Sequence, residues 1–204
     1  MKKTNKEKTI TEVREKKYAN GKLKYRCHYK NGKLDGLYEE WYYSGQLKFK
    51  VNYKNGNKEG VENGWHNNGK DWLNISWKNG KKDGLFEEWY ENGKLKVRIN
   101  YKNGKRDGIL EAWYDNGQIW QRSIWKNNKQ ESIAEAWHEN GKLRDKTTFK
   151  NGKMEGLYES WYDNGQLKFR GTHKKGKWDG IYESWDMEGN LTKKLFFING
   201  RPID

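Results

Sequence analysis

The sequence predicts an all-β chain: an elongated, single-layer antiparallel β-meander or solenoid of about eight tandem hairpins, each 24 residues long. Three observations point there. Trp recurs at Trp41, Trp65, Trp89, Trp113, Trp137, Trp161 and Trp185, always 24 apart. Turn-forming glycines keep the same interval, at Gly21, Gly45, Gly69, Gly93, Gly117, Gly141, Gly165 and Gly189, with a second series from Gly32 and a third from Gly36. Between the glycines lie short runs rich in Tyr, Trp, Phe, Leu and Val, which is strand chemistry, and each period holds two turns.

The elements follow in order. Residues 1–12 precede the repeat and read as a disordered basic tail; residues 13–204 read as one continuous repeat domain. Hairpins are expected to begin near Val13, Leu37, Val61, Leu85, Ile109, Ile133, Leu157 and Ile181. Asn92-Gly93, Asn116-Gly117, Asn140-Gly141 and Asn164-Gly165 are expected to form two-residue type I′ turns, because Asn and Gly both tolerate positive φ. The other connection, such as Asn103-Gly104-Lys105-Arg106-Asp107-Gly108, reads as a longer loop. The unit at Asn127-Asn128-Lys129-Gln130-Glu131-Ser132 lacks both glycines, so irregular backbone is expected there.

A two-residue turn at Ser44-Gly45 pairs Glu39 with Lys50 and Trp41 with Lys48. The matching acid/base pairs are Glu15/Arg26, Glu87/Arg98, Glu111/Arg122, Glu135/Lys146, Glu159/Arg170 and Glu183/Lys194. In the one unit without the acid the pair is Asn63/Asn74, so both charges vanish together. Opposite charges facing each other across strands stabilise by roughly 0.2–1 kcal/mol. A three-residue turn is the alternative and would break these pairs. The register places the Trp, Glu and basic series on one face. The other face carries Tyr42, Tyr90, Tyr114 and Tyr162, with Phe49, Val51 and Phe169, and Cys27 aligned with Val51 as a small buried residue. At about 4.8 Å per strand, sixteen strands would run roughly 75–80 Å.

Composition narrows the function classes. The chain carries 12 Trp and 13 Tyr but a formal net charge of +14. That combination suits a thin aromatic sheet and favours anionic or acidic partners. Cys27 is the only cysteine, so no disulfide forms within the chain, and no apolar run has the length of a signal peptide core or membrane span; a cytoplasmic location is expected. No cofactor or metal motif is present. His66 and His138 occupy the Tyr42 slot of their units and His173 the Tyr53 slot, so each reads as an aromatic substitute. The repeated Glu residues each face a cation, unlike catalytic carboxylates.

Two binding surfaces remain. The first is the Trp series named above, an aromatic face on which a protein partner would dock. Within it, cation–π contacts are expected for Trp41 with Lys48, Trp89 with Lys96 and Trp137 with Arg144, and aromatic pairs for Trp65/Trp72 and Trp113/Trp120. The second is the lysine stripe Lys54, Lys78, Lys102, Lys126 and Lys150, spaced near 10 Å per hairpin, which would hold nucleic acid or acidic phospholipid. Exposed edge strands make end-to-end homodimers an expectation as well.

The string Tyr29-Lys30-Asn31-Gly32-Lys33-Leu34-Asp35-Gly36-Leu37-Tyr38-Glu39-Glu40-Trp41-Tyr42 resembles a MORN repeat, in the bacterial variant with a Trp-Tyr-x-Asn-Gly core. The resemblance runs from about residue 13 to 200. Bacterial proteins of this kind are grouped as an antitoxin family, so the resemblance implies a non-enzymatic, cytosolic binder of a protein partner, such as a toxin or a surface protein. MORN repeats in general are linked to protein contacts, self-association and acidic lipid.

Overall fold

The computed structural model describes residues 9–203, which fall into two compact units dividing between Gly93 and Lys94. The N-terminal unit holds β1 (Thr11–Lys17), β2 (Leu23–Lys30), β3 (Lys33–Trp41), β4 (Leu47–Lys54), β5 (Asn57–Trp65), β6 (Asp71–Lys78) and β7 (Lys81–Trp89). The C-terminal unit holds β8 (Leu95–Lys102), β9 (Lys105–Trp113), β10 (Ile119–Lys126), β11 (Lys129–Trp137), β12 (Leu143–Lys150), β13 (Lys153–Trp161), β14 (Leu167–Lys174), β15 (Lys177–Trp185), β16 (Leu191–Ile198) and β17 (Arg201–Ile203). Among the described residues there is no helix. Within each unit every strand pairs antiparallel with its neighbours in the chain, so each unit is the expected all-β meander. The tail expected at 1–12 lies outside the described residues as far as residue 8. Thr11 and Glu12 already belong to β1, because they pair with Lys30 and Tyr29.

The two turn types are the reverse of the expectation. The two-residue type I′ turns are Asn31-Gly32 and its counterparts: Lys30 pairs with Lys33, and both turn residues have positive φ, 49° and 77°. The supposed long loop is therefore this tight turn followed by the first residues of an odd strand, which begins at Lys33 rather than Leu37. At the Trp-side turn, Tyr42 N–H donates to Gln46 O and Gly45 N–H donates to Tyr42 O, with positive φ at Gly45 and not at Ser44. That is a three-residue loop, a type I turn ending in a glycine bulge.

The charge pairs survive it. Glu39 faces Lys50 as predicted, yet Trp41 faces Leu47 while Glu40 faces Phe49, which leaves Lys48 as an extra residue. The loop shifts the register by one and the bulge at Lys48 shifts it back. The same irregularity recurs at β5–β6, β11–β12, β13–β14 and β15–β16. A second bulge follows the type I′ turns from Asn31-Gly32 to Lys175-Gly176: Asp35, Gly36 and Leu37 together oppose His28. A Cβ on Gly36, at φ +112°, would lie 3.0 Å from His28 Cβ.

The repeat that lacks these glycines is regular. Asn128 takes φ 66° in the type I′ turn, Ser132 takes φ 60° in the bulge, and β10–β11 keep the common register. Left-handed backbone suits Asn but strains Ser. Ser132→Gly is expected to raise the stability of the C-terminal unit by about 0.5–1 kcal/mol, read as an increased urea midpoint at unchanged slope.

One face of each unit serves as its core. Cys27, Val51, Ile75 and Ile99 occupy the same repeat position and are all buried, Val51 to 1% exposure. A sheet without a second layer achieves this by lateral cover. Tyr38 faces Val51 and stacks on Phe49 at 5.5 Å and Tyr25 at 6.2 Å, with Tyr53 at 6.1 Å. Burial pushes the Tyr38 phenol up to about 12. Where Glu62 replaces Tyr38, the buried carboxylate accepts from Lys58 Nζ at 2.7 Å and Trp77 Nε1 at 2.8 Å, so no charge is stranded.

Beyond Ile99 in the C-terminal unit the central position becomes Ser123, Thr147 and Gly171. Trp178 fills the space over Gly171, its Cζ3 2.6 Å from where a Cβ would stand. His173 packs against Trp178 at 3.8 Å with its Nδ1 buried and unpartnered, and burial holds its pKa below the ordinary 6.5. The unfolded chain thus takes up this proton more readily than the folded one. The contribution is present in full above about pH 6.5 and is lost as pH falls toward the depressed folded value. His173→Phe is expected to flatten the decline in urea midpoint between about pH 7.5 and 5.5; an unchanged pH profile would refute the assignment.

Candidate functional site

Successive repeats within each unit are fastened at the Trp-side turns. Tyr18, Tyr42, Tyr114 and Tyr162 hydroxyls donate to the carbonyls of Trp41, Trp65, Trp137 and Trp185, 23 residues on, at 2.8–3.1 Å. His66 and His138 make the same contact through Nε2, to Trp89 O and Trp161 O, both at 2.9 Å. A carbonyl only accepts, so each Nε2 carries the hydrogen, and both histidines substitute for Tyr as the sequence suggested. Lys22, Lys70, Lys94 and Lys142 add a donated hydrogen bond from Nζ to the next turn's backbone. At the opposite edge Asp35, Glu59, Asp107, Glu131, Glu155 and Asp179 accept from backbone N–H groups 20 residues on. These carboxylates are structural.

The fastening orients the Trp residues. Trp41, Trp65, Trp89, Trp113, Trp137, Trp161 and Trp185 are all half-buried. Their face carries the charge ladder, in which a cation stands between two acids on neighbouring strands rather than opposite one. Arg26 faces Glu15 and Glu39, contacting them at 2.7 and 4.0 Å. Glu183 receives Arg170 at 2.9 Å and Lys194 at 3.0 Å, which lower its pKa through hydrogen bonding. The cations lie over the Trp of the following strand: Arg26 over Trp41 at 5.9 Å, Lys50 over Trp65 at 5.7 Å and Arg170 over Trp185 at 5.5 Å.

Of the cation–π and aromatic pairs expected within hairpins, Trp41/Lys48, Trp65/Trp72 and Trp137/Arg144 give way to other contacts. The bulge brings Lys48 to the core face, where it pairs with Glu40 at 2.8 Å and lies over Tyr42. Its counterparts follow: Trp72 meets His66 at 6.4 Å, Trp120 meets Tyr114 at 6.5 Å, and Arg144 pairs with Asp145 at 2.7 Å.

Beside the Trp row stands an aliphatic row, at the positions that in the sequence mark the hairpin starts. Ile109, Ile133, Leu157 and Ile181 are 46–52% exposed in the C-terminal unit, as are Val13 and Val61 at 55% and 47% in the N-terminal unit. They share the parity of Glu39 and Trp41, and that period-two pattern could have placed them. Lys54, Lys78, Lys102, Lys126 and Lys150 are all exposed, each at the mouth of a type I′ turn. The structure adds a second row: Lys78 faces Lys81, Lys102 faces Lys105, Lys126 faces Lys129 and Lys150 faces Lys153.

The MORN repeat variant family model matches residues 13–31, 34–55, 82–103, 106–127, 130–151 and 154–175, more than half of the chain. The chain belongs to this MORN repeat variant family. MORN repeats are in general binding and scaffold repeats. The repeats at 58–79 and 178–199, outside the matches, fold into the same strands, β5–β6 and β15–β16. They depart from the common unit at Asn63, Gly64 and Trp72 in one and at Trp178 in the other. No curated protein matches the chain.

Proposed function

We propose that this MORN-repeat chain is a non-enzymatic, cytoplasmic scaffold that docks a protein partner on the face formed by the Trp row and the aliphatic row. The carrying observation is the half-exposure of Ile109, Ile133, Leu157 and Ile181 at one per repeat, in a row beside ordered Trp side chains. An exposed aliphatic row marks an interaction surface, and the rigid Trp residues beside it are hot-spot chemistry. The carboxylates of the same face are tied to cations, which supports binding over catalysis. The antitoxin grouping of bacterial relatives extends the proposal to a toxin as partner. An Ile109→Ser, Ile133→Ser, Leu157→Ser variant is expected to keep its fold and lose at least about tenfold in partner affinity. Unchanged affinity in the folded variant ends the reading.

A second reading, capture of nucleic acid or acidic phospholipid, is favoured by the lysine rows. Like charges directly opposed across strands destabilise, and the repetition of Lys–Lys pairs at turn after turn suits an anionic ligand. Binding of DNA or acidic vesicles should then weaken steeply between about 50 and 200 mM salt and vanish on changing Lys102, Lys126 and Lys150 to Gln. End-to-end pairing is proposed through β1 alone, since Pro202 in β17 lacks a ladder donor.

A further inference from the structure

The core face of the C-terminal unit opens into a cavity of about 470 Å³ beside Ser160, lined among others by Arg144, Lys168, Tyr162, Phe169 and Met187. The N-terminal unit shows what the repeat places at this spot. There Lys48 Nζ lies 5.9 Å from the Tyr42 ring centroid and 2.8 Å from the Glu40 carboxylate. Lys168 repeats the arrangement, 5.4 Å from the Tyr162 centroid, but the residue in the Glu40 position is Ser160. Ser160 is buried, and its hydroxyl is spent on Arg144 O at 3.1 Å. Lys168 therefore keeps the Lys48 pose without the acid that neutralises Lys48.

We propose that this cavity receives a glutamate side chain of a protein partner, its carboxylate meeting Lys168 and Arg144 as Glu40 meets Lys48. The stem suits the walls: rings of Tyr162 and Phe169 and the thioether of Met187 cover two methylenes. Of the two acids of the lining, one pairs with Arg144 and neither pairs with Lys168. Asp145 is held by Arg144 Nε at 2.7 Å and Tyr158 Oη at 3.2 Å. Asp163 is exposed on the turn, where water and salt screen it. His138 donates through Nε2 to Trp161 O and brings no added charge requirement. Arg144 retains guanidinium N–H groups beyond the one given to Asp145, and two cations around one carboxylate give charge-assisted donors on two sides. The inference rests on the chain being a protein-binding scaffold but uses the core face, sharing only Trp161 with the Trp row and none of the aliphatic row, so the two fail separately.

The test uses the full chain, ¹⁵N-labelled, titrated with N-acetyl-glutamate N-methylamide and with the glutamine analogue. Saturable shifts at Ser160, Tyr162 and Lys168 are expected with the first, and at least about tenfold weaker response with the second. Ser160→Glu supplies the carboxylate from within and should abolish the response. Lys168→Gln, at an exposed site that folding does not depend on, should abolish it too. Shifts confined to the turn lysines, or a response surviving Lys168→Gln, overturn the proposal, as does equal binding of the two analogues. None of these outcomes bears on the Ile109, Ile133 and Leu157 variant.

Discussion

Gly171→Thr is expected to destabilise the C-terminal unit by about 1–3 kcal/mol, and Trp178→Met by about 2–4 kcal/mol, but the two together by clearly less than their sum. The reason is steric. Any Cβ at 171 meets the Trp178 ring, with Cζ3 2.6 Å and Cε3 3.1 Å away, and the Ile181 carbonyl at 3.3 Å closes the other side. The ring cannot retreat freely, because it is clasped by His173 at 3.8 Å, Tyr182 at 5.2 Å and Phe197 at 6.2 Å. Trp178→Met alone leaves a hollow over a glycine. The double change recreates the combination in the repeat before, Thr147 with Met154, which that repeat packs without Trp. A coupling of about 1–3 kcal/mol in a urea double-mutant cycle is expected; additivity within about 0.5 kcal/mol would show that the ring does not occupy the glycine's space.

The same exchange between a large residue and a small one occurs at Gly64, where a Cβ would meet Trp72 Cε3 at 2.9 Å. Glu40–Lys48 in one repeat thus becomes Gly64–Trp72 in the next. These couplings mark the boundary of what the residues reveal in one dimension. Period, strand content, acid–base register, the burial of Cys27 and the roles of the three histidines were all legible, since each depends on spacing alone. Which residues share a face near the Trp turn was not. One bulged residue inverts the alternation, so Lys48, Trp72, Trp120 and Arg144 move to the face opposite the one that simple pairing assigns.

The turn types escape the sequence for a related reason. Asn-Gly satisfies a type I′ turn, with both residues left-handed, and equally a type I turn with a glycine bulge, with only Gly left-handed. The distinguishing residues are the exceptions. Ser44 and Glu188 precede the glycine at the Trp-side turn, and neither favours left-handed backbone. The candidate site suffered similarly. The Trp row was visible as a spacing, whereas the aliphatic row beside it was read as strand signal. The exposure of Ile109 and Ile133 follows only from the absence of a second layer over that face among the described residues.

Because parity decides burial, the length of a deletion should matter more than its content. Removing residues 135–158, one full period, joins Ala134 to Glu159 and leaves Ser160 on the core face and Trp161 opposite it, as in every repeat. Each strand hydrogen-bonds only to its sequence neighbours, so the unit loses one repeat and keeps its ladder. The melting temperature should fall by a few degrees, with the near-ultraviolet signal of ordered Trp retained. Removing residues 135–157 is one residue shorter and joins Ala134 to Tyr158. Tyr158, which stacks on Trp178 at 6.2 Å and meets Phe169 edge-on at 5.0 Å, is then turned to solvent, and Glu159 to the core face. An unpaired carboxylate among rings and an exposed phenol together cost several kcal/mol, enough to lower the melting temperature by more than about 10 °C. If both deletions melt alike, the bulges are absorbing single-residue slips, and face assignment cannot be what holds the sheet in register.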